Sequence, residues 1–200
     1  MKKNVTRGYG VLEGFLAKKR AAVANSLMSE GLIRGGRLLD LGCGTYPYFL
    51  SIADEMEKYG LDKNLNENCK EQFKDIKLQK FDIENENNIP FQDSYFNVVT
   101  MLAVCEHLSR ESLSHKLQEI YRILKPGGAV IMTTPALWTA FILNTMAKLR
   151  LISSEEIKDH KRLYSLSEIS ILLNQAGFSL EAIKAGYFEL FMNTWVIAKK

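Results

Sequence analysis

The sequence predicts a doubly wound α/β fold, a mostly parallel sheet with helices on both faces. Three observations predict it. Short apolar runs that stop at glycine or an acid alternate with stretches of helical spacing. Residues 38–62 combine an apolar strand, the glycine turn Gly42-Cys43-Gly44, a helix and an acidic residue, Asp62, 20 residues after the first glycine. Two late strands then close the chain as a β-hairpin.

The elements follow in order. Residues 11–30 place Leu12, Phe15, Leu16, Val23, Leu27 and Met28 among Lys18, Lys19 and Arg20, the pattern of an amphipathic helix laid over the sheet. Such a helix closes one face; in a sharper reading Tyr9 or its neighbours also cover a ligand. Leu38-Leu39-Asp40-Leu41 is the first buried strand. Pro47 opens a helix expected to run to about Tyr59, because the first helical turn has no acceptor for proline's missing N–H. Tyr59-Gly60-Leu61-Asp62 is the second strand, residues 64–75 are helix-prone, and residues 76–81 alternate as a half-buried strand ending at Asp82-Ile83.

Residues 96–103 form a nearly continuous apolar run, so a central strand. Leu113, Leu117, Ile120, Tyr121 and Leu124 lie at helical spacing, and Lys125-Pro126-Gly127-Gly128 is expected to end that helix. Residues 129–133 are another buried strand. Ser165-Leu166-Ser167-Glu168 is a capping box, and Gly177 ends its helix in a left-handed cap. The last strands are expected near 178–184 and 193–198.

Two hundred residues suit one domain spanning 1–200, with 1–36 an N-terminal helical cap and 136–164 a helical insert or lid. The net charge of +3 is spread without a basic stripe, which argues against nucleic acid as a partner. No apolar run is long enough to span a bilayer. Lys2-Lys3 is followed by polar residues where a signal peptide needs an apolar core. Cys43, Cys69 and Cys105 form no CxxC pair, and His107, His115 and His160 lack metal-ligand spacing. The expectation is a cytoplasmic protein without metal.

Five ordered segments carry a family resemblance: residues 38–45 (LLDLGCGT), 60–62 (GLD), 81–83 with 89–99 (FDI, IPFQDSYFNVV), 106–108 with 119–128 (EHL, EIYRILKPGG) and 160–178 (HKRLYSLSEISILLNQAGF). The chain resembles the class I S-adenosylmethionine-dependent methyltransferases, in particular the small "type 11" methyltransferase-domain group. That resemblance implies a seven-stranded sheet with the last strand antiparallel. It implies S-adenosylmethionine at the carboxyl ends of the first strands, with Asp40, Gly42, Cys43 and Gly44 at its methionine end. Asp62 would then take the ribose hydroxyls, Asp82 and Ile83 the adenine, and Leu102 and Ala103 would lie beside the methyl-bearing sulfur. Two positions depart from the pattern. Tyr46 replaces the usual third glycine, so its ring either crowds the cofactor or walls it. Asn97 replaces a common aspartate, and the isosteric amide should keep that turn.

Methyl transfer from a sulfonium needs positioning first, and a base only when the acceptor carries a proton. Glu106 and His107 begin the loop where an acceptor would approach, as a carboxylate and a base; alternatively they cap the next helix and hold the loop. His160, Arg162 and Tyr164 either line the acceptor pocket or anchor the insert. Cys43 and Cys105 lack an activating pair and read as packed residues. The apolar segment 136–152 offers a lid over a bulky or partly apolar acceptor (a small molecule, or a glycan or lipid-linked one), a homodimer contact, or shallow membrane docking. Two rival functions stand beside methyl transfer. Tyr121 and Lys125 have the YxxxK spacing of a nicotinamide-dependent oxidoreductase, and an inactive cofactor-binding scaffold would keep the same glycines and Asp62.

Overall fold

In the computed structural model, seven strands join in the order β3-β2-β1-β4-β5-β7-β6. The structure describes residues 13–30, 36–53, 56–139 and 161–200. The strands are β1 (Arg37–Leu41), β2 (Glu57–Asp62), β3 (Ile76–Lys80), β4 (Phe96–Leu102), β5 (Leu124–Pro135), β6 (Ile183–Phe188) and β7 (Asn193–Lys199). β1 pairs in parallel with both β2 and β4, and the chain crosses over β1 between β3 and β4. That reversal opens a crevice at the strands' carboxyl ends, where open α/β sheets bind ligands. β7 runs antiparallel to both of its neighbours, β5 and β6. It alone opposes the other six strands.

Two apolar layers sandwich the sheet. On one face Leu39, Leu41, Val99 and Met101 pack under α4 (Arg110–Ile123) and α5 (Leu166–Ala176). On the other, Leu38, Val98 and Ile131 pack under α1 (Glu13–Glu30) and the short α2 (Tyr48–Ile52), with α3 (Glu67–Gln72) contributing Cys69. Burial on both faces explains why β1 and β4 are nearly unbroken apolar runs.

The departures from the sequence expectation have physical causes. α1 is not held by a broad apolar face: its buried stripe is Ala21, Ala24, Leu27 and Met28, while Phe15 is 55% exposed. The small alanines let the helix approach the sheet. The helix after Pro47 ends at Ile52 instead of Tyr59, with Pro47 as its cap, because β2 already begins at Glu57. Lys125-Pro126-Gly127-Gly128 ends the helix as expected, but the strand expected from 129 already begins at Leu124. The helix ends at Ile123, and these residues form the start of β5, where the register against β4 shifts. Proline holds the residue before it extended, and Gly127 takes φ 77° while its N–H donates to Lys200 O at 2.9 Å. β6 starts at Ile183, later than expected, since Phe178 is drawn into the core and residues 180–182 form a turn.

The capping box of α5 is present as read. Ser165 Oγ accepts from the Glu168 N–H at 3.2 Å, Glu168 accepts from the Ser165 N–H at 3.0 Å, and Gly177 takes φ 116°. Asn97 keeps its turn: its Oδ1 accepts from the Arg37 N–H and from Lys125 Nζ, both at 3.1 Å. His160, the N-terminal residues before 13, and 140–160 of the proposed insert lie outside the described residues.

Candidate active site

The site is built on the turn after β1. The Gly42 N–H donates to Leu61 O at 2.7 Å, which pulls the turn against the end of β2. Gly42 has φ 79°, and a Cβ there would lie 2.5 Å from Val104 Cγ2; Gly44 has φ 71°. Both are left-handed conformations that favour glycine, and their bare backbone leaves room for a ligand above the strand ends. The Gly44 N–H donates to Asp62 Oδ2 at 3.0 Å, and the Asn64 N–H to Asp62 Oδ1 at 2.8 Å. Two backbone donors therefore fix a carboxylate that is only 1% exposed.

Asp40 lies one strand away, paired in register with Thr100 of β4. Thr100 Oγ1 donates to Asp40 Oδ1 at 2.6 Å. Burial pushes the Asp40 carboxyl up to about 7, against the opposing Thr100 hydrogen bond, and the Asp62 charge raises it further. A bound cation would reverse that, because it favours the ionised form. The two acids, buried at the ends of neighbouring strands, suit a positively charged ligand.

Asp82 and Ile83 follow β3. Ile83 is buried, with its Cδ1 3.6 Å from the position a Gly42 Cβ would take, so it stands over the turn. Asp82 accepts from Asn85 Nδ2 at 2.9 Å and from the Glu84 N–H at 3.1 Å, and the first of these contributes most to holding its carboxyl below its ordinary value. It organises its own turn. The loop that follows is fastened to α4: Lys116 Nζ donates to the Glu86 and Asn87 carbonyls, Glu119 accepts from the Ile89 N–H, and Arg122 donates to the Ile89 and Phe91 carbonyls. Tyr46 is half-buried, and its ring meets Phe73 edge-on at 5.1 Å, on the α3 side of the turn.

The fourth strand ends at Leu102 and Ala103. Ala103 takes φ 57°, unusual outside glycine, while its N–H donates to Thr133 O at 2.9 Å. Thr133 pairs with Leu102 in register, and its buried Oγ1 has no hydrogen-bond partner among the described residues. The next turn carries Cys105, Glu106 and His107. Glu106 is 1% exposed, and its Oε2 accepts from Thr134 Oγ1 at 3.1 Å; its carbonyl accepts from the Lys161 N–H at 2.8 Å. It clasps the returning chain to β5. Helix α4 is capped by Ser109 instead, whose Oγ accepts from the Ser112 N–H. His107 is half-buried at the rim. Burial raises the Cys43 and Cys105 thiols above their ordinary range, which suits packing.

Tyr164 does not line an open pocket. It is 1% exposed in the core, its hydroxyl donating to Leu108 O at 3.0 Å, with burial pushing it up to about 12. Arg162 is exposed and pairs with Glu168 while lying 5.5 Å over the Tyr164 ring. These two anchor the chain entering α5. Sequence reasoning missed Thr100, Thr133 and Thr134. Their signal was polar residues inside otherwise apolar buried strands.

The chain as a whole matches a known domain. The sequence model of the methyltransferase-domain family covers residues 13–183. The chain belongs to that family. It is 32% identical over 106 residues to the demethylmenaquinone methyltransferase of Geobacillus sp., covering 49% of this chain and 44% of that one. To the tRNA (carboxymethyluridine(34)-5-O)-methyltransferase of Arabidopsis thaliana it is 28% identical over 189 residues, 91% of this chain and 45% of that one. The chain thus spans less than half the length of these curated relatives. In fold it is similar to the crystal structure of a SAM-dependent methyltransferase from Archaeoglobus fulgidus, with a TM-score of 0.66 and 18% identity over 94% of this chain and all of that one.

The methyltransferase cradle fits S-adenosylmethionine by its chemistry. A turn kept bare at Gly42 and Gly44, a backbone-fixed acceptor at Asp62 and a buried acid at Asp40 are what a cationic nucleoside needs. Among the described residues, no helix is long and apolar enough to cross a membrane.

Proposed function

We propose that this methyltransferase domain transfers the methyl group of S-adenosylmethionine to a small-molecule acceptor with a large apolar part. The observation that carries the reading is the cradle at the crevice: left-handed Gly42 and Gly44 beside a carboxylate at Asp62 fixed by two N–H donors. When bound, the cofactor supplies a methyl group already activated on a sulfonium. The protein's part is to position it. Asp62 is the acceptor for the ribose hydroxyls, and Asp40 the counter-charge for the methionine end. Ile83 is an apolar wall for the adenine. The Asp82 carboxylate mainly shapes that wall's turn.

Leu102 and Ala103, half-buried at the end of β4, form the edge of the crevice toward the acceptor, with the Thr133 hydroxyl buried behind them. Glu106 holds the loop through Thr134, which leaves His107 as the rim group to take a proton from an acceptor that carries one. Of the two acceptors in the relatives' names, demethylmenaquinone and a tRNA uridine, the first agrees better with a chain of net charge +3 and an apolar rim.

Calorimetric titration with S-adenosylhomocysteine tests the reading, with NADH and NADPH as controls. The expected outcome is binding of the sulfur nucleoside alone, weakened at least about tenfold in Asp62→Ala because a charge-assisted hydrogen bond is lost. In a labelled-methyl assay, His107→Gln is expected to slow turnover while leaving nucleoside affinity unchanged. Binding of NADH instead, or of nothing, would overturn the methyl-transfer reading.

A further inference from the structure

One corner of the carboxyl-end rim presents large apolar side chains to solvent. Leu137 and Trp138 follow β5, Tyr187 lies on β6, and Leu190 and Phe191 form the β6–β7 turn, at 88% and 67% exposure. β6 runs in the direction of β5, since both oppose β7, so this turn shares a rim with the cofactor cradle. The corner is built, not frayed. Trp138 Nε1 donates to Phe191 O at 3.0 Å, the Ala136 N–H to Met192 O at 2.8 Å, and the Tyr187 and Phe191 rings meet at 5.8 Å.

Cations border it. Burial raises the Glu189 carboxyl at the start of the turn above its ordinary value, and the charges of Arg20 and Lys19 on α1, close enough to act on it, oppose that rise. Lys19 Nζ also lies 5.4 Å over the exposed ring of Phe15. Aromatic and aliphatic side chains beside lysine and arginine are the composition of a surface that lies in a bilayer interface, with the cations at anionic headgroups. A protein partner would need no such pairing of apolar tip and basic border.

We propose that this corner docks the domain on the anionic surface of a lipid bilayer. The docked rim also carries Leu102, half-buried at the end of β4, so an apolar acceptor dissolved in the bilayer would reach the crevice without crossing water. That consequence rests on the methyl-transfer reading; the docking itself does not.

The test is co-sedimentation of the full chain with vesicles mixing phosphatidylcholine and phosphatidylglycerol, against phosphatidylcholine alone, with brominated acyl chains to quench Trp138. Expected are strong partition to the anionic vesicles and quenching. The double change Leu190→Asp, Phe191→Asp should weaken partition at least about tenfold, since two exposed apolar anchors become anions. Lys19→Gln with Arg20→Gln should weaken it roughly 25-fold at low salt, about fivefold per cation. Ile171→Asp, at an exposed apolar residue on α5 away from this corner, should change nothing. Failure to sediment, equal loss in Ile171→Asp, or vesicle-independent sedimentation that the rim changes abolish would overturn the proposal, the last by identifying a second copy as the occupant. Titration of the same variants with S-adenosylhomocysteine separates the two readings, because nucleoside binding should survive every rim change.

Discussion

Asp40 shows how one residue couples ligand, pH and stability. Unfolded, its carboxyl titrates near 3.8; folded, burial lifts it to about 7. Between those values the folded chain keeps a proton that the unfolded chain has released. Stability therefore falls as pH rises from about 4 to about 7 and stays level above. Asp40→Asn keeps an acceptor for the Thr100 hydroxyl but removes the charge. The variant is expected to melt a few degrees above the wild type near pH 8, where Asp40 is ionised, and to match it near pH 4. Its affinity for S-adenosylmethionine should fall over the same range, as the counter-charge is gone. Melting curves across pH decide this, and parallel curves for the two proteins would refute it.

Among the elements, the β6–β7 turn bears the clearest strain. Glu189, Leu190 and Phe191 take φ 52°, 54° and 66°, three successive left-handed residues without a glycine. Each such residue costs about 1–2 kcal/mol. Leu190 recovers little of that by packing, at 88% exposure. Leu190→Gly is expected to stabilise the domain by about 1 kcal/mol, or roughly 2–4 °C in melting temperature. It should also reduce partition to anionic vesicles. A lower melting temperature would show that Leu190 packs more than its exposure indicates.

The elements also show where sequence is legible. β1, β4 and the capped α5 announce themselves through double-sided burial, Ser165, Glu168 and Gly177. The glycine turn and Asp62 were legible for the same reason, since backbone conformation and strand ends constrain residue type. The start of β5 was not, because Pro126 and the glycines that follow are local breakers overridden by pairing with β4 and Lys200. Nor were the Thr100–Asp40 and Thr134–Glu106 bonds, which join residues 60 and 28 positions apart. Tyr164 was ambiguous in sequence because a tyrosine suits a core and a pocket equally; only its bond to Leu108 decides.

At the scale of the molecule, cradle and apolar corner sit on one rim, so chemistry and docking face the same way. The strand order has a different implication, for synthesis. β7 lies between β5 and β6 although it follows both in the chain, and Lys200 Nζ bonds to the carbonyls of Tyr121 and Leu124 at 2.7 and 2.8 Å. A ribosome making this polypeptide releases β5 before β7, the strand that covers its second edge. The sheet closes only when residues 193–199 emerge. Until then the nascent chain exposes a long apolar strand edge, the kind that recruits other chains or chaperones. Chains cut after Phe188 are expected to aggregate on expression, and a soluble, protease-resistant fragment would contradict this. Strand β7 acts as the bolt of the whole sheet.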